Sequence, residues 1–259
     1  MVKDVKDDCD EHGNPTGGHG HHDDGSEKGK GHDPHHEHGK GHGHGYGHHH
    51  DDDCDDDGPP DTPPPPCFTP GTLIATPKGE VPAEALEIGD RVITRDNGIQ
   101  TIRWVSQTHL SAGRLSREAH LRPVRIRKGA LGNGLPERDM MVSPNHRVLV
   151  ANETTALYFE DSEVLVAAKH LTGRPGIETV ETSGITYIHF MFDQHEVVLS
   201  DGAWTESFQP GDQTLGSVAD AQRREIFDLF PELETREGLD GYQAARRSLK
   251  KHEAQLVAF

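Results

Sequence analysis

Apolar residues gather in short alternating runs along this chain, and only from about position 67 onward. Thr72–Thr76 (TLIAT) reads as a strand, with Pro77-Lys78-Gly79 as the turn behind it. Ala83–Leu86 reads as one helical turn ahead of Gly89-Asp90. The run RVITRDNGIQTIRWVSQTHL predicts a hairpin, because two β-rich arms flank Asp96-Asn97-Gly98, where Asn97 and Gly98 would supply positive φ angles. Further strands are predicted at Val124–Arg127, Met140–Val142, Arg147–Val150, Val164–Ala167, Thr186–Phe192 and Glu196–Leu199. Gly and Pro punctuate them at short intervals, which predicts an all-β domain. Past Gly216 the period becomes helical. Val218, Ile226, Leu229 and Phe230 fall on one face and Pro231 stops the run, while a second helix is predicted over Gly241–Val257. Together they predict a buttress on the β domain, with an oligomer contact as the competing reading.

Composition divides the chain where the pattern does. Residues 1–66 carry 17 acidic against 5 basic side chains and thirteen of the 20 histidines. Their apolar side chains are Met1, Val2, Val5, Cys9, Tyr46 and Cys54 alone. Such a segment buries too little surface to offset its chain entropy and is expected to be disordered, with Pro59-Pro60 and Pro63 to Pro66 as a stiff spacer. The expected division is therefore a tail (1–66), a β domain (67–210) and a helical extension (211–259). Net charge is −18, so nucleic acid is not expected as a partner, since phosphate contacts need clustered Lys and Arg. No run of about 18 apolar residues predicts a membrane span. The opening MVKDVKDDCD lacks the apolar stretch of a Sec signal, which leaves a cytoplasmic protein or export by a non-Sec route.

The tail offers one chemistry of its own. Neutral imidazole is a good ligand for Zn²⁺, Ni²⁺ or Cu²⁺, and the donors nearest the spacer are His48, His49, His50, Asp51 and Cys54. No spacing repeats, so a solvated, pH-responsive tail is an equal reading. In the metal reading the tail is the active part and the β domain only displays it.

Cys67 offers another. Three cysteines give no disulfide framework, and Cys67 is the odd one, standing first in the foldable region. A thiol so placed can attack the peptide bond directly upstream, between Pro66 and Cys67. Ser143-Pro144-Asn145-His146, a short polar turn between two strands, brings a histidine that can serve it. No G-x-S-x-G context supports a serine hydrolase. His109, His120 and His170 are expected at the surface or in a satisfied core.

These residues lie in blocks that resemble a known family. CFTPGTLIATPKGEVPAEALEIGDRVITRDNG resembles the opening of Hedgehog/intein (Hint) autoprocessing domains, which start with a nucleophilic cysteine, a G-T-x-I/V strand and a G-D-x-V hairpin. VSPNHRVLV is similar to their T-x-x-H block, with Ser143 in place of Thr, and FDQHEVVLSDGAWTESF to their closing block. The resemblance spans Cys67 to Phe208 and is nearer to bacterial Hint domains than to full splicing inteins. It implies a horseshoe-like all-β fold, no required cofactor, and the chain's own N-terminal segment as substrate. It also implies attack of Cys67 on the Pro66 carbonyl to give a thioester, with His146 as general acid and Ser143 hydrogen-bonded around the scissile amide. His189, His195 and Asp193 fall near the closing block's catalytic positions. Water, or an external thiol or amine, would then release residues 1–66. Ala203-Trp204-Thr205-Glu206-Ser207-Phe208 stands where splicing inteins carry His-Asn, so N-terminal cleavage or transfer is expected in place of splicing.

Overall fold

The computed structural model describes residues 64–257. Its strands are β1 (Leu73–Thr76), β2 (Gly79–Pro82), β3 (Arg91–Ile93), β4 (Ile99–Thr101), β5 (Trp104–Ser111), β6 (Val124–Ile126) and β7 (Met140–Val142). They continue as β8 (Arg147–Val150), β9 (Val164–Ala167), β10 (Ile177–Thr179), β11 (Gly184–Met191), β12 (Val197–Ser200) and β13 (Ala203–Glu206). Six of them form an antiparallel sheet in the order β2-β1-β12-β13-β8-β9, and β10-β6-β7 form a second. β5 and β11 make a long two-stranded ladder running from Gly184 opposite Ser111 to Met191 opposite Trp104.

Period-2 patterning explains most of these strands. In β8, Val148 and Val150 point inward while Arg147 and Leu149 are only partly covered. β9 has no polar face: all of Val164–Ala167 is buried, because chain packs on both of its sides. Phe68 ties two sheets together. Its backbone exchanges hydrogen bonds with Ile188 of β11 (2.9 Å in each direction) and forms a bridge to Val142 of β7. Its ring stacks on Phe190 at 4.9 Å.

The hairpin lies where the sequence places it, but its turn is built differently. The last β3–β4 pair is Ile93 with Ile99, and of the two expected positive-φ residues only Gly98 (φ 68°) adopts one. Asn97 works through its side chain, whose Nδ2 donates to Glu196 Oε1 at 2.9 Å. Its backbone N–H is taken by Thr94 Oγ1.

The C-terminal region departs further from expectation. A helix forms at Asp220–Leu229 and buries Ile226, with Phe230 buried just past its end, but Leu229 is 44% exposed. Pro231 opens a further short helical turn, Pro231–Glu234. The long helix expected over Gly241–Val257 does not form. Arg236–Gly241 is helical, and then the chain runs extended to a single turn at Lys251–Ala254. The physical reason is the free edge of β9: Leu165 N–H donates to Arg247 O and Leu249 N–H to Leu165 O, each at 2.8 Å. Edge pairing satisfies this backbone where helical bonds would have left β9 unpaired. Among the described residues no helix is long and apolar enough to cross a membrane.

Candidate active site

Cys67 is wholly buried, and its backbone is gripped from two sides. Ser143 N–H, just past β7, donates to Cys67 O at 3.0 Å, and Phe68 locks onto β11 immediately afterwards. The turn Ser143–His146 closes on itself through His146 N–H to Ser143 O. Two elements remote in sequence thereby meet at the junction with the upstream segment.

Each polar atom of the Pro66–Cys67 peptide has a side-chain partner. Cys67 N–H donates to Ser143 Oγ at 2.9 Å, and that hydroxyl donates onward to Pro65 O at 2.7 Å. His189 Nδ1 lies 3.2 Å from Pro66 O, and its Nε2 lies 3.5 Å from Cys67 Sγ. A carbonyl can only accept, so Nδ1 carries the hydrogen and Nε2 presents its lone pair to the thiol. The thiol donates its one hydrogen to Pro65 O at 2.9 Å, so His189 Nε2 faces the sulfur without sharing that hydrogen in this arrangement. One imidazole therefore spans the Cys67 thiol and the Pro66 carbonyl.

The site is held neutral. Burial pushes the Cys67 thiol well above its ordinary pKa; Ser143 opposes this and the Glu206 charge adds to it. Burial pulls His189 down to about 4, against a smaller opposing effect of the Pro66 carbonyl. His146 also falls to about 4 through burial, with Glu206 pulling the other way. Its ring is packed edge-on to Phe68 at 4.5 Å, and neither ring nitrogen has a hydrogen-bond partner. His146 thus packs on Phe68 and makes no hydrogen bond to the Pro66–Cys67 amide, where a general acid was expected.

A second buried cluster carries charge. Glu206, wholly buried at the end of β13, accepts from Arg147 N–H at 2.8 Å and from the Arg147 guanidinium at 2.9 Å. Burial raises the Glu206 carboxyl, but Arg147 and His195 outweigh it and hold the group below its usual range. His195 accepts from Ala245 N–H at Nδ1 (3.0 Å), which leaves the hydrogen on Nε2, 3.3 Å from Glu206 Oε2 and out of good hydrogen-bond alignment. The C-terminal extension is tied to the β domain at this point.

The structure therefore brings Cys67, Ser143 and His189 together around Pro66, sets His146 behind Phe68, and places His195 on Glu206. Asp193 is exposed and pairs with Arg103 at 3.4 Å, so it is a surface residue, not part of this cluster. Glu206 and Arg147 were not singled out from sequence; the available signal was a carboxylate amid the apolar residues of the closing hairpin. The proposed tail ligands His48, His49, His50, Asp51 and Cys54 lie outside the described residues. Among the described residues no group of three or more His, Cys, Asp or Glu side chains is arranged to hold a metal ion.

A family model described as the Hint domain matches residues 66–212. No curated protein matches the chain. Among solved structures, the bacterial intein-like domain from Clostridium thermocellum is 16% identical, covers 54% of this chain and 97% of its own, and superposes with a TM-score of 0.37. A DnaB intein from Synechocystis is 12% identical, over 55% of this chain and 98% of its own, at 0.35. A DnaB mini-intein variant is also 12% identical, over 57% and 97%, at 0.37.

Proposed function

The chain belongs to the Hint domain family, with its mostly β fold and self-processing chemistry, and we propose that its own reaction is an N-to-S acyl shift at the Pro66–Cys67 bond, leading to N-terminal cleavage or transfer. The observation that carries this is the single His189 ring lying between Cys67 Sγ and Pro66 O.

The S–H turns from Pro65 O to His189 Nε2, which takes the proton as the sulfur attacks the Pro66 carbonyl carbon. A thiol this deeply buried does not ionise on its own, so proton removal has to accompany attack. A neutral imidazole, kept so by its depressed pKa, is the right base for that. As charge develops on the carbonyl oxygen, Nδ1–H of the same ring donates to it. The imidazolium that forms holds the proton the Cys67 nitrogen needs as the C–N bond breaks. Ser143 Oγ lies on that nitrogen and keeps it oriented. The products are a free α-amine at Cys67 and a thioester of Pro66 on Sγ. Water then adds to the thioester, returning the thiol and leaving a Pro66 carboxylate, or an external thiol or amine takes the acyl group in its place. Without an asparagine in Ala203–Phe208, no second cleavage follows on the C-terminal side.

The intact mass of the full chain, followed with and without dithiothreitol, tests this reading. Release of residues 1–66 from wild type and not from Cys67→Ala supports it; identical full-length masses in both overturn it.

A further inference from the structure

We propose that the domain contains a built binding site for a prolyl segment lacking N–H groups, in which Asn145, Ser143 and His189 read three successive carbonyls. Asn145 Nδ2 donates to Pro64 O at 2.6 Å, Ser143 Oγ to Pro65 O at 2.7 Å, and His189 Nδ1 faces Pro66 O at 3.2 Å. As a statement of substrate preference this rests on the Pro66–Cys67 bond being the one cleaved; as a binding site it does not.

Three features of the chain fit the site to proline. Pro64, Pro65 and Pro66 are all buried. Any other residue would carry an N–H into that buried path, and an unpaired backbone donor there is costly. Proline brings none, and its fixed φ lowers the entropy lost on ordering the segment. Consecutive prolines favour a helix of three residues per turn, so their carbonyls point in different directions. Donors must then come from more than one side. Asn145 and Ser143 come from the turn between β7 and β8, and His189 from β11.

The site is coupled to the chemistry through Pro65. That carbonyl accepts from Ser143 and also receives the Cys67 thiol at 2.9 Å, within reach of His189 Nε2. Seating the residue two positions before the bond therefore positions the nucleophile. Asn145 has no part in proton transfer. It is a specificity residue that anchors the far end of the segment.

The test uses the full chain carrying Asn145→Asp or, separately, Pro64→Ala. Asn145→Asp keeps the side chain's shape and turns its donor into an acceptor facing Pro64 O, and Pro64→Ala introduces an N–H. Two rates are read: alkylation of Cys67 by iodoacetamide under native conditions, located by peptide mass, and thiol-induced release of residues 1–66. In both variants alkylation rises and release falls by about tenfold, as expected for one buried hydrogen bond lost or one buried N–H left unpaired. Amide exchange in β8 and β9 stays at the wild-type rate, which marks the opening as local. Wild-type alkylation rates in both variants would overturn the proposal, as would a matching rise in β8–β9 exchange. If wild type releases nothing but alkylation shifts as stated, the autoprocessing reading falls and the prolyl site stands.

Discussion

The buried polar clusters around Cys67 and around Glu206 are built on opposite terms. Around Cys67 every group is uncharged, and the partners are the reacting atoms themselves: a thiol, a peptide N–H and a carbonyl. Around Glu206 the centre is an ion pair and the partners are structural, with Arg147 fixing the carboxylate from β8 and His195 linking it to the extension at Ala245. Under the proposed reaction the first cluster changes its protonation, and the one fixed charge that reaches it, Glu206, keeps the resting thiol protonated. The second never needs to change, so burial of a well-paired charge is tolerable there. His146 lies between them, neutral and unpartnered, sensing Glu206 without bonding to it.

The comparison breaks down if the two clusters respond alike to substitution. The largest effect is expected from His189→Ala, which removes base and oxyanion donor together. Release in dithiothreitol should fall roughly a hundredfold to ten-thousandfold, with a smaller loss in urea unfolding of about 1–3 kcal/mol from the buried group left unpaired. His146→Ala should slow release less; a larger loss than for His189→Ala would return the acid–base role to His146. Arg147→Met should do the reverse of His189→Ala, costing about 3–5 kcal/mol in urea unfolding, because Glu206 keeps the backbone N–H of residue 147 but loses the guanidinium that balances its buried charge. A stability loss below 1 kcal/mol would show that the second cluster is not an anchor.

The pH dependence separates the clusters more finely. His146 and His189 are held neutral with pKa values near 4, below the ordinary 6.5. The unfolded chain therefore binds more protons than the folded one between those values. Stability should be full above about pH 6.5, decline as pH falls toward 4, and level off below that, by at most about 3 kcal/mol per histidine. In the double variant His146→Ala/His189→Ala, denaturant midpoints should be flatter across that window. The smallest effect is expected at Leu229, where Leu229→Ala should change stability by no more than about 0.5 kcal/mol because the side chain is largely exposed.

Much of the first cluster was legible in the sequence and little of the second. Cys67 declared itself by its place at a boundary, and Ser143 by the polar turn between apolar runs. His189 was visible as a histidine in a strand, but its position across the Pro66–Cys67 bond depends on Phe68 joining β11, which no local pattern records. Glu206 and Arg147 are 59 positions apart and meet only because β13 lies beside β8. The missing second helix has the same origin: residues 241–257 carry a helical period, but β9 presents an unpaired edge and the extension supplies its partner. Local periodicity located most of the strands but not β2, β10 or β13. Pairing across the sheets decided the charges and the C-terminal path.

The most direct test of the central claim is to trap the acyl group. Full-length protein is treated with hydroxylamine at neutral pH and its products are weighed. The account predicts a residue 1–66 fragment bearing a hydroxamic acid on Pro66, together with a chain beginning at Cys67, both absent from Cys67→Ala. Wild type that keeps its full-length mass throughout, indistinguishable from Cys67→Ala, would contradict it.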